Sequence, residues 1–354
     1  IFNTKAAINI ANNTTNITSW DRESKDAVTT IIDNKHNLNF IYTNSNYVYI
    51  QRLNENMGVR DTLKIQKRYP IYGDTIVDDD GNYYIAWGQN DTSPESTGKI
   101  TFVISKYSNS GSYISSYEKT DSPKPVEKPP ATGEQEEIRK EEPTKTIFAN
   151  GTCNLDINSK GIIAYNYAKE TKAGLQCNSS GYIDSNTMKE AKDYKVYPYA
   201  AHSWATDVIA LSNGDFAFLQ QTDMQKRSYD VSLITQNVDK KYTEYNRQMF
   251  HFREGLAKQA GYYYTFSNYG SIEDLKTGVA LIASSEKTLS LSPAGSTENE
   301  SRNVFMQILK RDYLTGHVGE KLTADSFMTV GERKSTGTQK ASNGDEKYFL
   351  AEGT

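Results

Sequence analysis

Cysteine is nearly missing from this chain of 354 residues: only Cys153 and Cys177 occur, and neither belongs to a Cys-x-x-Cys pair. The usual cysteine zinc and dithiol redox sites are thereby excluded, while one structural disulfide and two separate thiols both stay open. Long apolar runs are absent too. No stretch approaches the ~20 consecutive apolar residues of a membrane-spanning helix, so no span is expected. An excess of one charge is also missing: 40 Lys and Arg stand against 44 Asp and Glu, with no basic stripe to displace counterions from a phosphate backbone. Nucleic acid is not an expected partner. Histidine is scarce, and His36, His202, His251 and His317 form no His-Glu-x-x-His pair. With no Gly-x-Ser-x-Gly elbow and no phosphate-cradling glycine loop either, no catalytic residue is assigned from motifs.

What is present is strand. Hydrophobic residues are few at 36%, but 25 Tyr and 12 Phe supply side chains large enough to fill a core. Residues 37–53 (NLNFIYTNSNYVYIQRL) are two β-rich runs around a Thr-Asn-Ser-Asn turn. In 77–91 (VDDDGNYYIAWGQND), Asp80-Gly81 supplies a tight turn before a returning strand. Period-2 geometry puts Tyr83, Ile85 and Trp87 on one face of that strand and Tyr84 and Ala86 on the other. The same hairpin recurs at 100–119, 155–170 and 206–223. Helical signals are confined to short stretches such as 24–33 (SKDAVTTIID) and 273–278 (EDLKTG).

Regular short strands with turn signals predict an all-β fold, and groups of about 40 to 50 residues match the span of propeller blades. The expectation is one β-propeller over residues 1–354 with roughly six blades, or seven. The alternative is two β-sandwich domains meeting near residue 140. Residues 120–146 are rich in Pro, Glu and Lys without apolar period, and read as a disordered insert between blades. Within them Pro129-Pro130-Ala131-Thr132-Gly133 resembles the Leu-Pro-x-Thr-Gly sorting signal of Gram-positive surface proteins. Proline replaces its leucine, and no apolar tail follows.

Asp78 and Asp80 could offer oxygens to calcium, the one cofactor left open. Their spacing departs from the Asp-x-Asp-x-Asp-Gly loop, and a solvated hairpin tip, which accounts for all three aspartates, is the preferred reading. "DDDGNYYIAW" matches the Ser-x-Asp-x-Gly-x-Thr-Trp box of sialidases only through Asp, Gly and a later Trp, in the wrong strand register. Tyr262, Tyr264 and Trp87 are candidate faces for a sugar or protein partner. Acceptor sites for N-glycosylation begin at Asn12, Asn13, Asn16, Asn90, Asn150, Asn178 and Asn299.

Residues 200–234 (AAHSWATDVIALSNGDFAFLQQTDMQKRSYDVSLI) resemble uncharacterised extracellular propeller-like surface proteins of clostridial type. A His-Ser pair opens a blade, a small turn precedes Gly-Asp, and an arginine leads into the next strand. Residues 69–91 and 174–188 look similar to other parts of those proteins. The resemblance implies a propeller, and no catalytic residue is carried over with it. His202, Asp223 and Arg227 are nominated from this segment as polar residues of a central or face-on pocket.

The sequons, scarce cysteine, plentiful Tyr, Asn, Ser and Thr, and an Ile at position 1 suggest a secreted or cell-surface chain, processed or excised from a longer one. The leading expectation is a non-catalytic module for binding, adhesion or surface assembly, whose partner is a glycan, a surface protein or further copies of itself. The rival is a propeller enzyme that cleaves extracellular carbohydrate with carboxylates from different blades. A third reading makes the chain a subunit of a larger surface polymer.

Overall fold

The structure, a computed structural model, describes residues 28–33, 35–92, 99–121, 144–171, 176–192, 194, 206–221, 229–236, 242–250, 270–274, 278–286, 302–310 and 350–352, and from residue 220 onward it describes backbone alone. Among the described residues there is a single 3-10 turn, Ala149–Gly151, and no α-helix. Everything else regular is antiparallel strand, in five sheets that follow one another along the chain.

The first sheet is β1 (Val28–Ile32), β2 (Leu38–Thr43), β3 (Tyr47–Leu53) and β4 (Val59–Gln66), hydrogen-bonded in that order. The second is β5 (Ile71–Val77), β6 (Tyr83–Gln89), β7 (Ile100–Tyr107) and β8 (Tyr113–Asp121). The third runs β10 (Cys153–Ile157), β11 (Ile162–Thr171), β12 (Gln176–Asp184) and β13 (Lys189–Glu190), with β9 (Thr144–Ile147) paired to the end of β11. β14 (Thr206–Ala210), β15 (Phe216–Gln221), β16 (Tyr229–Gln236) and β17 (Tyr242–Phe250) form the fourth. β18 (Gly270–Asp274), β19 (Gly278–Glu286), β20 (Arg302–Lys310) and β21 (Leu350–Glu352) form the fifth. The all-β, antiparallel expectation holds.

The two helical expectations do not. Residues 28–32 are strand β1, because five consecutive β-branched side chains favour an extended, half-packed backbone over a helical one. Glu273 and Asp274 end strand β18. The segment expected as an insert is entered by β8 as far as Asp121 and left by β9 from Thr144, and residues 122–143 lie outside the described ones.

Five of the described hairpin turns share one construction. The backbone N–H at position four returns to the carbonyl of position one, and a side-chain oxygen at position one accepts from the N–H groups at positions three and five. Asp78 accepts this way from Asp80 at 3.0 Å and Asn82 at 2.8 Å. Asp33, Asn54, Ser108 and Asn158 repeat it in their own turns. The fourth residue must take a left-handed conformation, which glycine adopts most cheaply. It is Gly81 at φ 82 in the second sheet, whereas His36 and Met57 adopt φ of 60 and 61 in the first.

The described residues divide into two compact units: those up to Leu155 with those in 167–179 and 183–190, and those in 156–166, 180–182 and from Ala191 onward. In the first unit the inner face of β2 and β3 (Ile41, Val48, Ile50) packs on Tyr83, Ile85, Trp87 and Val103. The opposite face of the second sheet is covered as well. Phe102 stacks on Tyr167 at 4.6 Å between ring centroids and meets Phe148 edge-on at 6.1 Å. Gly73 and Gly88 make room for that second layer, since a Cβ at either would lie 2.8 Å from Phe148 or Ile147. Burial on both faces is worth roughly 1.5–3 kcal/mol for each large side chain. In the second unit Tyr182, Tyr194, Val208, Phe216 and Phe218 form the corresponding core.

First strands are tied to first strands within each unit. Asp74 on β5 accepts from Leu155 N on β10 at 2.8 Å, and Asp156 on β10 accepts from Ala210 N on β14 at 2.6 Å.

Candidate functional site

Tyr47 opens β3 straight after a turn fixed by Asn44, whose Oδ1 accepts from Asn46 N at 2.9 Å and Tyr47 N at 2.8 Å. At the far end of β4 the chain returns beside this turn, with Lys67 N donating to Asn46 O at 2.8 Å. The link into β5 then runs through Arg68, Tyr69 and Pro70, where proline fixes its own φ and holds Tyr69 extended. Between turn and link lies an open cleft of about 450 Å³, lined by Asn46, Tyr47, Gln66, Lys67, Arg68 and Tyr69 among others. Its size is in the ~300–1,000 Å³ range of small-molecule sites.

The lining is held from behind. Lys64 Nζ sits 4.0 Å from the centroid of the Tyr47 ring, Tyr47 tilts against Tyr49 at 6.1 Å, and Tyr49 stacks on Tyr42 at 5.0 Å. On the other side Tyr69 Oη donates to Glu118 Oε2 at 2.9 Å, and the Arg68 guanidinium lies 4.0 Å over the Tyr113 ring. Such contacts pre-order flat rings and a cation before any ligand arrives.

Burial pushes the Lys67 ammonium below its ordinary pKa. Among the described residues its Nζ has no hydrogen-bonded or ion-paired partner, and no acid lines the cleft. Burial also raises the Tyr69 phenol, and the bond to Glu118 raises it further. The lining carries aromatic rings, amide groups and two cations. The lining includes no nucleophile paired with a base.

Trp87 cannot serve as a binding face: it is 0% exposed, pairs with Val103 across the strands and meets Tyr72 edge-on at 6.4 Å. Alternation separates the two faces of a strand but does not say that both are covered. His202, Asp223, Arg227, Tyr262 and Tyr264 lie outside the described residues, as do Asn13, Asn16 and Asn299.

Asp78 is a turn residue. Beyond its two backbone donors it accepts from Asn82 Nδ2 and Tyr84 Oη, each at 2.9 Å. Asp80 is exposed at the tip, and among the described residues no group of three or more His, Cys, Asp or Glu converges as metal ligands. Cys153 is buried beside Gly73, and the side chain of Cys177 lies outside the described ones. Asn90 is half-buried, with its Oδ1 accepting from Ile147 N at 2.8 Å, and Asn178 sits half-buried within β12. Asn150 lies in the 3-10 turn.

The cleft residues were not singled out in the sequence. Their signal is the juxtaposition of Asn-Ser-Asn-Tyr (44–47) and Gln-Lys-Arg-Tyr-Pro (66–70), about twenty positions apart, which only the pairing of β3 with β4 brings together.

No family model and no curated protein matches the chain. Solved structures similar to it include the Trypanosoma rangeli sialidase in complex with the inhibitor DANA, at 11% identity over 79% of this chain and 46% of that one, with a TM-score of 0.39. An auxiliary nutrient binding protein from Bacteroides ovatus is similar at 10% identity over 80% and 55%, TM-score 0.35. A GH43 β-1,3-galactosidase is similar at 7% over 81% and 91%, TM-score 0.39. The chain spans about half the length of the first two. At these scores the likenesses decide nothing about its chemistry.

Among the described residues no helix is long and apolar enough to cross a membrane.

Proposed function

We propose that the chain is a β-propeller, with the five sheets as blades of a ring of roughly six, and that it is a secreted or cell-surface module that binds glycans without cleaving them. The observation that carries the binding reading is the cleft between Asn46 and Tyr69, where the Tyr47 and Tyr69 rings are held by neighbours beside the amides of Asn46 and Gln66 and the lining lacks a catalytic pair.

Three features support the ring. Each sheet is a meander in chain order. Within the first unit β1 lies against β5, and within the second β14 lies against β18, as channel-lining first strands do. Asp74 and Asp156 staple such first strands through backbone N–H groups. Each of these carboxylates has its other oxygen on the N–H of the following residue, so neither is poised as an acid for the hydrolase reading.

The test is a broad glycan array probed with wild type and Tyr47→Ala, with product analysis of each hit. Binding without product, lost in Tyr47→Ala while the melting temperature holds, supports the reading. Turnover of a bound glycan would replace it with the enzyme reading. A blank array would leave a protein surface or further copies of the chain as the partner.

A further inference from the structure

We propose that the cleft selects acidic saccharides, those bearing a carboxylate or sulfate, and that Lys67 is the residue that takes the anionic group; this rests on the glycan reading of the same cleft. The geometry is particular. Lys67 is held beside the Asn44–Tyr47 turn by its own backbone, which donates to Asn46 O at 2.8 Å, so its side chain starts from a fixed point of the lining. That side chain is half-buried, and none of the residues lining the cleft with it is an acid. A half-buried ammonium with no counter-charge gives up hydration without compensation. Cations elsewhere in the same unit show the contrast: Arg52 binds Asp61 and Asn109, and Lys106 donates to Ser185 O at 3.1 Å.

The rest of the lining fits the same ligand. Arg68, set on the Tyr113 ring, adds a second positive group, and Glu118, which accepts from Tyr69 Oη, is not among the lining residues. The rings of Tyr47, one face of which carries Lys64, and Tyr69 suit the apolar side of a pyranose, while Asn46 and Gln66 provide amide donors and acceptors for hydroxyls. A neutral sugar would use the rings and amides and leave the ammonium unmatched. An acidic one uses all of them, through a charge-assisted hydrogen bond about twice as strong as a neutral one.

The experiment is titration calorimetry with three probes: trigalacturonate, its fully methyl-esterified form, and a sulfated disaccharide. Each is run against wild type, Lys67→Met, Lys67→Arg and Tyr47→Ala, with thermal melts to verify folding. The expected result is binding of trigalacturonate or the sulfated disaccharide at least tenfold tighter than the ester. Lys67→Met should remove that preference, Lys67→Arg should keep it, and Tyr47→Ala should weaken all probes that bind. Equal affinity for acid and ester, unchanged in Lys67→Met, would overturn the charge assignment and leave the glycan reading intact if Tyr47→Ala still lost binding. Failure of all three probes overturns the acidic assignment, and a blank neutral-glycan array alongside it removes the glycan reading too.

Discussion

Arg52 Nη1 donates to both the carbonyl and the side-chain oxygen of Asn109, each at 2.8 Å, across 57 positions of chain. The other edge of the guanidinium is paired with Asp61. One side chain therefore ties the third strand of the first sheet to its own fourth strand and to the β7–β8 turn of the second. Lys106, two residues before its turn as Arg52 is before Asn54, reaches the turn of the third sheet at Ser185 O. Removing Arg52 loses several charge-assisted bonds, although Asn109 and Asp61 are exposed enough for water to replace part of them. Arg52→Met should cost about 2 kcal/mol, and Arg52→Lys, which lacks the fork, somewhat less. Urea denaturation checks this; a midpoint unchanged in Arg52→Met would mean the clasp is not a stabilising contact.

The Asp78 turn makes a second prediction, about metal. Asp78 already accepts from Asn82 Nδ2 and Tyr84 Oη as well as two backbone N–H groups, so calcium would have to displace Tyr84 and Asn82 to gain a ligand. Melting curves in excess calcium and in chelator should coincide. Gly81→Ala, by contrast, forces a Cβ into φ 82 and should cost about 1–2 kcal/mol. A melting temperature that rises with calcium and loses that rise in Asp78→Asn would restore the aspartates as a metal site.

The glycines at 73 and 88 concern packing, not turns. An alanine methyl at 73 would lie 2.8 Å from Cys153 Sγ and from the Phe148 ring, and at 88 it would lie 2.8 Å from Ile147. Cores answer such insertions by moving side chains, at about 1–3 kcal/mol. Gly73→Ala should fall in that range, and Phe148→Leu should cost less in its presence than in wild type. A double-mutant cycle with no coupling energy would show that the two do not share the space.

How far this was legible in the sequence follows from distance along the chain. The hairpins at 37–53, 77–91, 100–119, 155–170 and 206–223 are local events: Asp80-Gly81 or Ser159-Lys160-Gly161 declare a turn within five residues. Burial is not local. Trp87 reads as a candidate face because alternation is visible, whereas the layer that covers it comes from Ile41, Val48 and Ile50 in the preceding sheet, and the layer over the opposite face from Phe148 and Tyr167. The strand at Val28–Ile32 was obscured by Lys25, Asp26 and Ala27 ahead of it, although its β-branched run was the better guide. The cleft needed two turns brought together by the register of β3 on β4, and no motif marks either half.

Asp33 carries the acid-pH prediction. Burial raises its pKa, but donors from Asn37 N at 2.8 Å and Lys35 N at 2.9 Å, with Asn37 Nδ2 beyond them, favour the carboxylate more, and the net shift is downward from 3.8. A carboxylate whose folded pKa is lowered stabilises the fold above its unfolded pKa and loses that contribution as pH falls toward the folded one. The window therefore lies below 3.8. Asn54 and Asn158 fill the same turn position without charge, so Asp33→Asn keeps an oxygen acceptor and the turn geometry. Wild type should exceed Asp33→Asn in stability by about 0.5–1 kcal/mol near neutral pH, the scale of one turn-capping bond. The gap should close as the pH is lowered through the window. Urea midpoints for both proteins between neutral pH and pH 2 measure it; a gap that stays constant into acid would mean that the oxygen acceptor, and not the charge, sets this turn.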